Sequence, residues 1–175
     1  MLIDGVPALA AMPAVRLDPA ALGGLALRVE GGHRAYLSDL PLAEVRDEGL
    51  FGVVWPHRLD RAIAGGPIRV GGLRHAKGVA VHSVARLGWD LGGGYARLRA
   101  LAGIDDAVAP EGDLVAVLEG DGRELWRARI RGGERPLPLD LDVSGVKRLT
   151  LRVDAGERHD IGDHLDLADA WLVRR

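Results

Sequence analysis

The chain has 175 residues, 47% of them hydrophobic and 27% charged, and a formal net charge of -2. That length suits one domain with a real core, or one domain with an appendage; the near-neutral balance, with acids and arginines interspersed, offers no basic face for nucleic acid or for an anionic membrane surface. No apolar run approaches the ~20 residues needed to span a bilayer as a helix, so no membrane insertion is expected, and the lack of cysteine excludes disulfides and thiolate metal sites.

The opening MLIDGVPALAAMPA has no basic leading segment, and Asp4, Gly5 and Pro7 interrupt its apolar stretch, so a signal peptide is not expected there. Residues 15–17 and 25–29 read as short strands before the Gly31-Gly32 turn. We therefore expect residues 1–35 to form an N-terminal arm, a possible remnant of a preceding segment, and residues 36–175 to form the main domain. Residues 36–40 and 42–46 have the length of edge strands, with Pro41 between them. Residues 47–67 lose all periodicity and read as a long loop holding Phe51, Trp55, Pro56, His57, Arg58 and Asp60; loops of this length in compact domains are often functional.

Strand signals then follow at short intervals: 68–70, 73–75, 79–82 and 86–91, and then, after Gly92-Gly93-Gly94, an alternating run over 95–104. The alternation returns in 114–118, in Trp126, Ala128 and Ile130 against Arg127, Arg129 and Arg131, in Leu137, Leu139 and Leu141, and in Leu149, Leu151 and Val153. Glycine-bearing turns separate these runs. The pattern predicts an all-β fold, an antiparallel β-sandwich.

The ordered motifs Tyr36-Leu37-Ser38-Asp39-Leu40, Lys77-Gly78-Val79-Ala80-Val81-His82-Ser83, Asp90-Leu91-Gly92-Gly93-Gly94-Tyr95, Gly103-Ile104-Asp105-Asp106, Asp121-Gly122, Asp142-Val143-Ser144-Gly145 and Asp163-His164 to Asp169-Ala170 resemble the NPCBM family, the novel putative carbohydrate-binding modules, whose relatives include the family-51 carbohydrate-binding modules. The resemblance covers roughly residues 36–173. It implies a jelly-roll sandwich like the galactose-binding domains, a noncatalytic role in binding a galactose-like sugar on a glycan, attachment to glycoside hydrolases or other larger proteins, an extracellular or cell-envelope setting and, in several relatives, a structural calcium. Leu167 stands where such modules tend to carry an aromatic, and Phe51-Gly52 with Trp55 only loosely matches a Gly-Trp-Gly-like element.

Sugar recognition needs an aromatic surface for the apolar side of a pyranose and a few fixed donors and acceptors for its hydroxyls. Trp89, Trp126 and Trp171 lie in strands, where core packing explains them; Trp55 lies in the long loop. His82 projects where its strand meets a turn. The expected ligand contacts are Trp55, His57, His82, Asp105, His164 and Asp166, and the expected calcium ligands are Asp39 and Asp169. Asp105-Asp106 also reads as turn chemistry, and the acids of 159–169 as solvated turn residues. Two other readings stay open: an interaction module of an envelope or secreted protein with a decayed sugar site, and a small metal-dependent hydrolase using His82, His159 or His164. No nucleophile elbow, phosphate loop or dinucleotide fingerprint is present, which favours binding over catalysis.

Overall fold

The computed structural model describes residues 34–175 and the strand backbone of Leu2–Ile3 and Val6–Pro7, with Phe51 described by its backbone alone. Strands β1 (Leu2–Ile3) and β2 (Val6–Pro7) pair antiparallel within a unit of residues 1–31, separate from a second unit of residues 32–175. The strands expected at 15–17 and 25–29 lie outside the described residues.

The second unit contains β3 (Arg34–Tyr36), β4 (Leu42–Asp47), β5 (Arg58–Leu59), β6 (Ile68–Val70), β7 (Leu73–His75), β8 (Gly78–His82), β9 (Ala85–Asp90), β10 (Tyr95–Ile104), β11 (Asp113–Gly120), β12 (Arg123–Arg131), β13 (Leu137–Asp142), β14 (Arg148–Ala155) and β15 (His164–Arg174), with 3-10 turns at Leu37–Asp39 and Leu50–Gly52. One sheet runs β13-β10-β15-β8-β5, with β3 also on β15; the other runs β12-β11-β14-β9-β4. Every pairing is antiparallel.

Period-two alternation builds the layer between them. Val79, Val81, Leu98, Leu165, Leu167 and Leu172 from the first sheet meet Leu87, Trp89, Leu114, Leu118, Leu149, Leu151 and Val153 from the second, all fully buried in one cluster. Burial of each such side chain contributes about 1.5–3 kcal/mol before chain entropy is counted. Leu37 leaves the expected 36–40 strand to join this core: the chain turns at Leu37–Asp39, and the Leu37 carbonyl accepts the Trp89 indole N–H at 3.1 Å. The loop of 47–67 contains one 3-10 turn and the two-residue β5, which pairs with β8.

Residues 164–174, expected in part as solvated turn, form the longest strand of the fold. Their acids obscured the strand signal because the outer face of this sheet is itself covered. The β6–β7 hairpin lies over it, and Ile68, Val70 and Ala168, with Leu101, form a second small core. The close approach explains two glycines within strands: a Cβ at Gly78 would stand 2.7 Å from the Leu167 carbonyl oxygen and 2.8 Å from Ile68 Cδ1, and one at Gly103 would stand 2.7 Å from Val70 Cγ1. Trp171 corrects the core expectation. The register of β15 against β10 shifts between the Ala168 and Trp171 pairings, Asp169 has φ 46°, and the parity beyond it inverts. Ala170 and Leu172 therefore face the core, and Trp171 turns out between the Arg34 and Arg99 guanidinium groups, 4.2 and 5.3 Å from the ring centroid.

Gly78→Ala is expected to lower stability by about 1–3 kcal/mol through overpacking against the Leu167 backbone, read as a fall in the thermal unfolding midpoint.

Candidate functional site

Val81 and Leu165 point into the sandwich, so the alternating His82 and His164 point outward. The two histidines are register partners at the end of the β8–β15 pair, with ring centroids 5.4 Å apart. His82 is 4% and His164 is 7% exposed. His82 Nδ1 donates to the Ser83 carbonyl, which leaves Nε2 as an acceptor in the neutral ring. His164 Nδ1 is buried and has no hydrogen-bond partner among the described residues.

One carboxylate fixes this end of the fold. Asp163, fully buried, accepts the Ser83 hydroxyl at 2.6 Å and the Asp113 backbone N–H at 2.7 Å, which ties the end of β8 to the start of β11 one residue before β15 begins. Burial raises its pKa while both hydrogen bonds oppose the rise. Asp113 anchors the loop after β14: its carbonyl accepts Gly156 N–H and its carboxylate accepts Glu157 N–H, while Arg129 donates to both carboxylate oxygens at 2.7 and 2.6 Å. The Arg129 hydrogen bonds hold the Asp113 pKa down to about 2. The loop so anchored carries Asp160, Ile161 and Gly162 to the histidines.

Trp55 arrives from the other side, 5.9 Å from each imidazole centroid and nearly parallel to His82, at 29°. Together with Leu50, Val53, Asp160, Ile161 and Gly162, the three rings line a cleft of about 270 Å³. Trp55 is 43% exposed, Val53 55% and Ile161 62%, so an aromatic and aliphatic rim surrounds a floor of imidazoles. Asp160 accepts the Leu50 N–H through Oδ2 at 3.1 Å and joins the two loops. Sequence reasoning missed Leu50, Val53, Asp160, Ile161 and Gly162 as cleft residues. The aperiodic loop around Trp55 and the polar stretch at 159–169 carried the signal, but side-chain roles in such segments depend on their anchors.

Asp105 and Asp166 lie behind this cleft and do not line it. Both are buried, Asp105 Oδ1 accepts Ala107 N–H at 2.7 Å as the turn reading predicts, and Asp106 accepts Gly71 and Gly72 N–H in the β6–β7 turn. Burial and then the neighbouring Asp105 carboxyl push Asp166 up to about 10, so it keeps its proton at neutral pH; neither Asp166 oxygen has a hydrogen-bond partner among the described residues. Burial, then His82, lowers the His164 pKa, against an opposing pull from Asp105. The two shifts act on stability in opposite pH directions. The Asp166 contribution is complete below the ordinary carboxylate value and is lost as pH rises toward about 10; the His164 contribution is present above the ordinary imidazole value and is lost as pH falls through its folded-state pKa. Asp166→Asn, which supplies a donor without a titrating proton, is expected to raise stability by roughly 1–3 kcal/mol at pH 8 and by much less at pH 4, measured by thermal unfolding at both values.

The remaining expected residues sit elsewhere. Asp47 accepts both the His57 backbone N–H, at 3.1 Å, and the His57 ring Nδ1–H, at 2.8 Å; His57 thus fastens the Trp55 loop to the end of β4 and does not line the cleft. Asp39 is bonded by Lys77 Nζ, which also bonds Asp60 at 2.6 Å, and Asp169 takes the His75 ring N–H at 2.7 Å. Asp39 and Asp169 are not gathered into a calcium site: one oxygen of each is engaged, by the Lys77 ammonium and the His75 imidazole, and no group of three or more potential ligands among the described residues could hold a metal ion. Chelation with EDTA is therefore expected to leave the unfolding midpoint unchanged, whereas Lys77→Met, which leaves Asp39 and Asp60 facing without a cation, is expected to lower it.

Comparisons with known proteins bear on the family and the fold. The second family-51 carbohydrate-binding module of Clostridium perfringens ZmpB, solved with its INT domain and with GlcNAc, is 25% identical with a TM-score of 0.73, over 81% of this chain and 32% of that one. The family-51 module of Clostridium perfringens GH95, solved with methyl-galactose, shares the fold at a TM-score of 0.72 and 19% identity, over 81% of this chain and all of that one. A putative endo-alpha-N-acetylgalactosaminidase of Renibacterium salmoninarum is 28% identical over 90 residues, 51% of this chain and 6% of that protein. The chain thus spans only a small part of the curated relative it matches. The NPCBM/NEW2 domain matches residues 33–173, and the chain belongs to that family, a β-sandwich carbohydrate-binding module without catalytic function.

Proposed function

We propose that the cleft bounded by Trp55, His82 and His164 binds a terminal galactose-configured pyranose of a glycan. The observation that carries this reading is the convergence of three aromatic rings, each within 6 Å of the others, on a cleft with an apolar rim. An axial O4 leaves one face of a galactose ring with a continuous C–H surface suited to the Trp55 indole, while the free Nε2 of His82 and the ring of His164 supply partners for hydroxyls. The GlcNAc and methyl-galactose complexes named above support a sugar ligand of this size.

The decayed-site reading drew on Leu167, which is fully buried between the sheets and so does not bear on the outward-facing cleft. Asp105 and Asp166, in this reading, support His164 from behind without touching the sugar. Since the ZmpB module was solved together with its INT domain, we place this module within a larger glycan-active protein of the cell envelope or extracellular space, where it would hold a neighbouring domain on its substrate.

One small ligand desolvates few groups, so affinity in the micromolar to millimolar range is expected. Trp55→Ala should weaken binding of a methyl galactoside at least tenfold in titration calorimetry and leave the unfolding midpoint nearly unchanged, because Trp55 is 43% exposed. Failure of the native protein to bind any sugar on a glycan array would sink the proposal.

A further inference from the structure

We infer that the outer face of β10, β15 and β3 around Trp171 is a second binding site, for a saccharide carrying a carboxylate or a sulfate. The site does not depend on the Trp55 cleft. Ala35, Leu98 and Leu172 pack into the core, so their strand neighbours point outward. Tyr36, Trp171, Arg99 and Asp140 are successive register partners across β3, β15, β10 and β13 and form one row on that outward face. Arg34, the register partner of Val173, flanks the row. The Arg34 and Arg99 guanidinium carbons lie 4.2 and 5.3 Å from the Trp171 ring centroid. Contact with an indole restrains two side chains that would otherwise lose much rotamer freedom on binding, so the ring preorganises two cationic forks.

The charges on this face do not cancel. Asp140 binds Arg97 through Nε and Nη2, at 2.8 and 2.7 Å, whereas Arg99 approaches it only through Nε, at 3.3 Å. Asp142, the register partner of Arg97, accepts the Ser144 N–H at 2.8 Å. Arg34 is exposed and has no acid partner among the described residues. Arg34, Arg97 and Arg99 thus face only Asp140 and Asp142, and the surplus cation lies against the indole. A planar guanidinium matches a carboxylate or sulfate through two parallel N–H bonds. The Trp171 indole N–H, also without a partner among the described residues, is a donor for a hydroxyl of the attached sugar. Arg99 and Trp171 lie on strands paired on both sides, so no backbone edge is open there for strand addition by an acidic peptide. Trp171 stands roughly 20 Å along β15 from His164 at the rise of a strand, and Ile68 and Val70 of the β6–β7 hairpin cover the face between them at Ala168.

The test is a titration of the intact, nitrogen-15-labelled chain, followed by nuclear magnetic resonance at the Trp171 indole N–H. The probes are methyl galactoside, methyl galacturonoside, galactose 6-sulfate, inorganic sulfate and hexaglutamate. At least one of the two acidic sugars is expected to shift that signal along a saturating curve, about tenfold more tightly than the other three probes, and which one does so tells carboxylate from sulfate. The shift should persist in Trp55→Ala and weaken as salt is added. Arg34→Gln should reduce the affinity about tenfold, and Arg34→Lys should restore only part of it, because the ammonium keeps the charge without the planar fork. Arg34 is exposed, so both variants are expected to keep the unfolding midpoint of the unaltered chain. The inference is overturned by no response to either acidic sugar, or by equally tight binding of the neutral galactoside, inorganic sulfate or hexaglutamate. Affinity unchanged in Arg34→Gln, or loss of the shift in Trp55→Ala, would overturn it as well. Binding in the Trp55 cleft is read separately, at the Trp55 indole N–H, so failure of one site is distinguishable from failure of the other.

Discussion

The register between β8 and β15 is the constraint on which the cleft depends. His82 lies opposite His164, and Val81 lies opposite Leu165. Because side chains alternate between faces, a slip of one residue would bury both imidazoles between the sheets and expose two core aliphatics. Asp163 holds that register from just outside the ladder. Its carboxylate reaches Ser83 on one side and the start of β11 on the other, so the ends of both sheets are fixed relative to the histidines. The floor of the cleft is thus set by sheet geometry, whereas its rim comes from two loops tied down by side chains: His57 to Asp47 for the Trp55 loop, and Asp113 with Asp160 for the loop after β14.

This division has an energetic logic. A recognition surface must expose apolar groups that the core would otherwise bury, and Val53, Trp55 and Ile161 do so on segments that contribute little to the inter-sheet core. Beneath the histidines the fold accepts an unfavourable element, a buried pair of aspartates in which one keeps its proton far above the ordinary range. Such a pair fixes the surroundings of His164 without presenting a full second charge to the cleft. On the far part of the same face, Lys77 between Asp39 and Asp60 neutralises acids that could otherwise attract an external cation.

The strands whose inner and outer faces differ sharply in polarity were legible in the sequence. β10, β11, β12, β13 and β14 follow their alternation to within a few residues, and the sandwich with them. The segments that were misread each have a physical reason. Leu37 left its expected strand because the core needed it beneath Trp89. The stretch 159–169 looked solvated because alternation was read as core against water, while here the second face of β15 is covered by the β6–β7 hairpin. Trp171 was assigned to the core by parity, which a bulge at Asp169 reverses. For the site, Trp55, His82 and His164 were legible from loop length, strand position and motif, and the structure unites them. His57 and the aliphatic rim were not, because their positions depend on individual long-range hydrogen bonds to Asp47 and Asp160 that leave no periodic trace.

The central claim is that the sugar lies against Trp55, His82 and His164 together. Nuclear magnetic resonance of the imidazole and indole signals during titration with a methyl galactoside tests it most directly. The account predicts that the ring signals of His82 and His164 and the Trp55 indole N–H shift together along one saturating curve, while those of His57 and His75 stay in place. Saturating shifts confined to rings outside the cleft would contradict it.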